Sequence, residues 1–167
     1  MHSYDSGQKR RAATRHCYCP ASRSRLDGTY GTTPGAMETE GSAIFDAAYE
    51  AEYGEPPPVP FVDTAYDAVV LLTLAAEKAG SVNSPAIRDA LRDVANPPEE
   101  IVGPGNAGIE QALQLVRLGQ DVNYEGASGP VDLDENGDVT CGAVQVWRIE
   151  EGAFVNVRVD IVGPCGP

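Results

Sequence analysis

The side chains able to act as nucleophiles, bases or metal ligands are few and unevenly placed. Both histidines, His2 and His16, and two of the four cysteines, Cys17 and Cys19, fall in the first 25 residues. Residues 26–167 contain no histidine. The usual general base, the Ser-His and Cys-His nucleophile pairs and the commonest metal ligand are therefore missing from the main part of the chain. Carboxylates are plentiful, but Glu99-Glu100 and Glu150-Glu151 sit in turn-like contexts, whereas glycosidase chemistry needs two carboxylates converging across a cleft. His16-Cys17-Tyr18-Cys19 has metal-binding residue types, yet a structural zinc site takes four ligands at regular spacing and the sequence offers no partner cluster. Asp132-Leu133-Asp134-Glu135-Asn136-Gly137-Asp138 opens like a calcium-binding loop, with oxygen-bearing residues at alternate positions and glycine sixth. The twelfth position, where a bidentate glutamate belongs, is Ala143, so a glycine-containing turn between strands is expected instead. These residues predict neither an enzyme nor a metal or cofactor site.

Two further features point to structure or binding. Cys141 and Cys165 flank the Glu150-Glu151-Gly152 turn at similar distances, so a hairpin would bring them together across its base. In an oxidising compartment they would form a disulfide; otherwise they are two free thiols. Tyr66 sits in the first turn of a predicted helix, where exposed N–H groups and the positive dipole end suit a polar or anionic ligand group.

The elements that would position these residues can be read from periodicity. Residues 1–25 show neither helical nor strand spacing and are rich in Arg and Ser, which predicts a disordered segment distinct from the rest. The abrupt change at Leu26 suggests a start-site or reading-frame artefact, or a fragment edge. Leu26 to Gly35 reads as a short strand end running into a Gly/Pro connection. Ile44, Phe45, Ala48, Tyr49 and Glu52 have helical spacing, stopped by Gly54 and Pro56-Pro57-Pro58. Thr64 and Asp67 predict a capping box at the start of the next helix. Ala68 to Ala76 is then nearly all apolar, as befits a helix covered on several sides, and Gly80 ends it. Ser84-Pro85 opens a helix with the single stripe Ile87, Ala90, Leu91 and Val94. Another carries Ile109, Ala112, Leu113 and Val116 and ends at Gly119. After a connection from Tyr124 to Gly129 the chain turns extended, and Val155, Val157, Val159 and Ile161 alternate with polar residues as in a half-buried strand. Four helices and one hairpin lack the buried strands that such helices cover.

Charge narrows the partners. The first 25 residues hold six of the 12 basic residues and only Asp5 of the 25 acids, which leaves six basic and 24 acidic residues in 26–167, a net charge of −18. So acidic a body disfavours nucleic acid and anionic lipid surfaces, and fits a well-solvated or salt-adapted surface. No apolar run approaches the roughly 18 residues that span a bilayer, so no membrane insertion is expected.

Several short segments in order carry a resemblance: Phe61-Val62-Asp63-Thr64-Ala65-Tyr66-Asp67-Ala68-Val69, Ala79-Gly80-Ser81, Ile87-Arg88-Asp89-Ala90-Leu91, Asn123 through Asp132, and Asp134-Glu135-Asn136-Gly137-Asp138. Together with Gly31-Thr32-Thr33-Pro34 and Phe45 to Gly54, they resemble the C-terminal part of type 1 periplasmic solute-binding proteins of ABC importers, in the branched-chain amino acid and amide group. The resemblance implies a partial α/β fold of that type: a Rossmann-like lobe missing much of its sheet and ending in a β-hairpin. Residues 36–138 would form mainly one lobe of a 26–167 domain, and residues 141–162 would return to the other. It further implies an extracytoplasmic, leucine-binding-like parent whose lobes close on a small solute, an amino acid or amide, and present it to an ABC permease. The rivals are a ligand-sensing domain of the same fold and a non-functional truncated remnant. By resemblance, Asp63 and Tyr66 approach the ligand cleft, while Thr32, Thr33, Pro34 and Cys141 lie at hinge crossings. Asp63 stands where an apolar or aromatic residue is common, which argues against a purely aliphatic ligand. With the first lobe absent, weak autonomous folding and no calorimetric response to leucine, isoleucine, valine or small amides are expected.

Overall fold

The computed structural model describes residues 26–58 and 60–165. The predicted disorder of residues 1–25 and the residue types of His16 to Cys19 fall outside these. In chain order the elements are β1 (Tyr30–Pro34), α1 (Glu40–Tyr53), α2 (Val62–Ala79), α3 (Ser84–Ala95) and β2 (Glu100–Val102). Then come α4 (Gly105–Arg117), β3 (Val122–Gly126), β4 (Gly129–Pro130), β5 (Gly142–Glu150) and β6 (Ala153–Val162). They build two three-stranded sheets, one ordered β1-β5-β6 and the other β2-β3-β4. The first is antiparallel throughout; in the second, β2 and β3 run parallel and β4 returns antiparallel.

The helices follow their sequence signals closely at their C-termini. Gly54 and Gly80 adopt left-handed backbone, at φ 77° and 55°, and close α1 and α2, because a residue without Cβ reaches that region at no steric cost. The start of α2 differs from expectation. It begins at Val62, and Thr64 donates its N–H to the Asp63 carboxylate (2.8 Å), so the Thr64/Asp67 capping box does not form. A reciprocal box forms instead at α1, where Thr39 and Ser42 exchange backbone-to-side-chain hydrogen bonds of 2.9 and 3.0 Å.

The second sheet supplies a few of the buried strands that the sequence reading lacked, consistent with a lobe that keeps only part of its sheet. Val122–Gly126 is a strand rather than part of a connection, with Val122 and Tyr124 fully buried. It had a signal, since Val122 and Tyr124 alternate with Asn123 and Glu125, but β2 is only three residues long and shows no period of its own. The core lies where this sheet meets the helices. Val70, Leu71, Leu74 and Ala75 of α2 pack with Ala90, Val94 and Ala95 of α3, Ala112 and Val116 of α4, and Val102, Val122, Tyr124 and Val131. Each fully buried aliphatic side chain contributes about 1.5–3 kcal/mol. α2 buries its inner side in this core, so a cooperative unfolding transition is expected here in place of the weak autonomous folding anticipated from the sequence. Its outer side is not covered among the described residues: Val69 and Leu72 are 65% and 53% exposed.

The hairpin forms as its turn predicts, with Glu150 paired to Ala153 across Glu151-Gly152. Both turn residues take positive φ, 51° and 77°, the twist that matches right-handed strands. Neither face of β6 is buried among the described residues, so the apolar alternation from Val155 to Ile161 does not mark an inward face here.

Candidate ligand-binding cleft at the junction of the two sheets

β1 and β5 belong to one sheet, and the helices between them belong to the other, so the chain crosses between the sheets after Pro34 and again before Gly142. A cavity of about 420 Å³ opens at this crossing. Its walls are the Pro34–Glu38 segment, the first turns of α1 and α2, the Ala127-Ser128 turn, and Gln145 of β5. The charged side chains lining it are all acidic: Glu38, Asp46 and Asp63. A larger hollow of about 910 Å³ lies along the outer side of α2 beside Val69, Leu72 and Val82, and its polar side chains are engaged within the chain: Thr73 donates to the Val69 carbonyl, Glu77 pairs with Arg117 and Ser81 accepts the Asn83 N–H. Convergent polar groups in a cleft mark a ligand site better than volume does.

One wall is held by a buried carboxylate. Asp67, 2% exposed, accepts hydrogen bonds from the Tyr124 hydroxyl (2.8 Å), the Ala127 N–H (2.8 Å), the Ser128 N–H (2.7 Å) and the Ser128 hydroxyl (2.6 Å). Four donors on one carboxylate fix the β3–β4 turn against the start of α2, and charge-assisted bonds of this kind are among the stronger ones. Burial, and then the Asp67 charge, pushes the Tyr124 phenol far above its ordinary range, so it remains a donor. Gly126 is required beneath the carboxylate, since a Cβ there would stand 2.6 Å from the Asp67 carboxyl carbon. Sequence reasoning assigned Asp67 to helix capping and missed this tie, because its partners lie 57 to 61 residues away.

The residues expected at the ligand divide between two places. Asp63 lines the junction cavity. Tyr66 does not; it faces a separate hollow of about 510 Å³ formed with Phe45, Tyr49 and Tyr53. Its hydroxyl accepts the Gly105 N–H (2.9 Å) at the start of α4, and its ring centroid stands 5.1 Å from that of Phe45. Thr32, Thr33 and Pro34 lie in β1, opposite Val146, Gln145 and Val144 of β5. Cys141 immediately precedes β5 and is joined to Cys165 by a disulfide, with Cα atoms 4.9 Å apart.

Acidic groups outside the cavity have their own structural explanations. In the Asp132–Asp138 turn, the Asp134 carboxylate accepts the N–H groups of Asn136 (2.8 Å) and Asp138 (2.9 Å). Chiefly the Asp138 bond holds Asp134 below the usual carboxylate range, against a smaller opposing effect of burial. Burial raises Asp132, and burial followed by the nearby Asp132 charge raises Glu125, with the Asn123 amide opposing. Among the described residues no group of three His, Cys, Asp or Glu side chains is placed to hold a metal, and no helix is long and apolar enough to cross a membrane.

Residues 5–152 match the family described as the receptor family ligand binding region. The chain belongs to that family. Within it, the chain is 32% identical over 112 residues to the chemotactic signal transduction system substrate-binding protein BasB of Halobacterium salinarum, covering 64% of this chain and 25% of BasB. Among solved structures it is similar to the leucine binding protein LivK of Thermotoga maritima, with a TM-score of 0.50 and 25% identity over 83% of this chain and 32% of LivK. A solute-binding protein of an ABC transporter from R. palustris, in complex with benzoate, aligns with a TM-score of 0.47 and 15% identity over 87% of this chain and 33% of that one. The chain thus spans a quarter to a third of the length of these relatives. The two small sheets and four helices named among the described residues are a partial type 1 periplasmic-binding fold, as the resemblance implied.

Proposed function

We propose that this chain supplies one wall of a solute-binding cleft and acts by closure on a small polar solute bearing a positively charged amine, without covalent chemistry. The acidic lining of the junction cavity carries this reading. Glu38, Asp46 and Asp63 face a space with no basic residue in its walls, so a cation is favoured there and a purely anionic or aliphatic solute is not. Amino acids and their amides fit that charge, and the branched-chain group fits the similarity to a leucine binding protein. A binding protein of this kind gains selectivity from differential affinity for its closed state. The parent would work outside the cytoplasm and hand its solute to an ABC permease.

The similarity to BasB favours a second reading, in which the closed form is presented to a signal transducer rather than to a permease. Neighbouring permease and ATPase genes would support transport; a neighbouring transducer gene would support sensing.

Because one wall gives weak binding, the test is amide chemical-shift mapping on the isotopically labelled chain. Leucine, valine and leucine amide are compared with 4-methylpentanoate, which lacks the amine. The amines are expected to shift resonances at Asp46, Asp63 and Ser128, with affinities on the order of millimolar. Equal shifts from the amine-free acid, or none from any amine, would overturn the proposal.

A further inference from the structure

Ser128 lines the junction cavity and gives both its N–H (2.7 Å) and its hydroxyl (2.6 Å) to one oxygen of Asp67. A carboxylate only accepts, so the single hydroxyl proton of Ser128 is committed to Asp67 and its oxygen keeps acceptor capacity alone. Two bonds from one residue to one oxygen also fix the side chain against the wall. Among the described residues no donor reaches the Ser128 hydroxyl oxygen. Ser42, a second hydroxyl of the lining, is engaged on both sides, since it donates to the Thr39 carbonyl (2.9 Å) and accepts the Thr39 N–H (2.9 Å). The third, Thr64, turns its hydroxyl toward the Asp63 carboxylate at 3.5 Å. These hydroxyls therefore offer a solute no proton, and Ser128 adds a neutral acceptor to the charges of Glu38, Asp46 and Asp63.

We infer that Ser128 is a specificity-determining contact whose oxygen accepts an N–H of the solute's ammonium group, its own proton being held by Asp67; this rests on the reading of the cavity as an amine site. Negative charge by itself attracts any cation, a quaternary ammonium included. A fixed acceptor in the wall demands a partner that carries a proton, and a partner without one leaves it unpaired. The cavity is thus built for a solute with a free, protonated amine, and it discriminates against the fully methylated form of the same solute.

Leucine and its N,N,N-trimethyl analogue test this, because they share charge, carboxylate and side chain and differ in N–H donors. Amide chemical-shift titrations of the isotopically labelled full chain are expected to give leucine about tenfold the affinity of the trimethyl analogue, the size of one hydrogen bond to a charged group. Ser128→Ala is expected to close that gap by weakening leucine while the trimethyl analogue binds as before. Ser128 is only partly buried, and the dispersion of the variant's amide spectrum reports whether the fold is kept. A gap that Ser128→Ala leaves unchanged would mean that the methyl groups are excluded by bulk, and it overturns the inference. Equal affinities in the unmodified chain overturn it without any variant, and they leave the amine reading standing when 4-methylpentanoate stays excluded. Binding of neither amine overturns both.

Discussion

Replacing Asp67 is the sharpest test of how the cleft wall is held. Asp67→Ala removes the acceptor for four donors and leaves the Tyr124 hydroxyl and the Ala127 N–H without a partner in a buried place. Each such orphaned group costs about 1–3 kcal/mol. Ser128 is only partly buried, so its two donors recover hydrogen bonds with water, and removal of a buried charge offsets part of the loss. The net cost is then about 3 kcal/mol, a large share of the roughly 5–15 kcal/mol that stabilises a typical domain. Tyr124→Phe alone leaves the carboxylate three donors and costs about 1 kcal/mol. The double variant is the decisive sample. Once the acceptor is gone, deleting the stranded hydroxyl costs nothing, so Asp67→Ala/Tyr124→Phe is expected to be no less stable than Asp67→Ala, with coupling of about 1 kcal/mol or more. Urea unfolding of the four proteins measures this. A loss within about 0.5 kcal/mol for Asp67→Ala, the range of ordinary surface changes, or strict additivity in the double variant, would refute the argument.

Other outcomes follow from the same geometry. Reduction of the Cys141–Cys165 bond, or Cys165→Ser, reopens a loop of 24 residues and is expected to destabilise the fold by about 3 kcal/mol in the chain-entropy picture, read as a lower thermal midpoint alongside a thiol count. Leu74→Ala is expected to cost about 2–5 kcal/mol because Leu74 is fully buried, whereas Leu72→Lys is expected to be near neutral on the open side of α2. A cooperative urea transition in the unmodified chain is itself part of that prediction. Asp132 has a raised folded-state pKa, so the fold binds its proton more tightly than the unfolded chain does. Its contribution is fully present below the ordinary aspartate value of 3.8 and is lost as pH rises through the raised value. Asp132→Asn should therefore gain stability over wild type above that window and show little difference below it, as seen in melts across pH.

Local physics made much of the architecture legible in the sequence. Glycines 54 and 80 stop α1 and α2 because only they take left-handed backbone without a Cβ penalty, and Ser84-Pro85 starts α3 because a fixed φ suits the first helical turn. The hairpin was readable from Glu151-Gly152 between two apolar runs. The absence of histidine after His16 limited the chemistry before any fold was known. Tertiary structure decided what depends on distant partners. Asp67 and Thr64 have capping-box spacing, but Asp67 finds stronger donors in a turn some 60 residues away, and the local motif yields. Tyr66 and Asp63 are three residues apart, so helical geometry alone could put them on one face, yet the start of α4 claims the Tyr66 hydroxyl and leaves Asp63 to the cavity. β2 is too short to carry a period, and only its pairing with β3 makes it a strand. The sequence by itself determined where elements start and stop and which chemistry is excluded, because those depend on backbone sterics and residue type within a few positions. Which acidic groups share a cleft and which carboxylate holds its wall were decided by the fold, because both depend on which chain segments pack together.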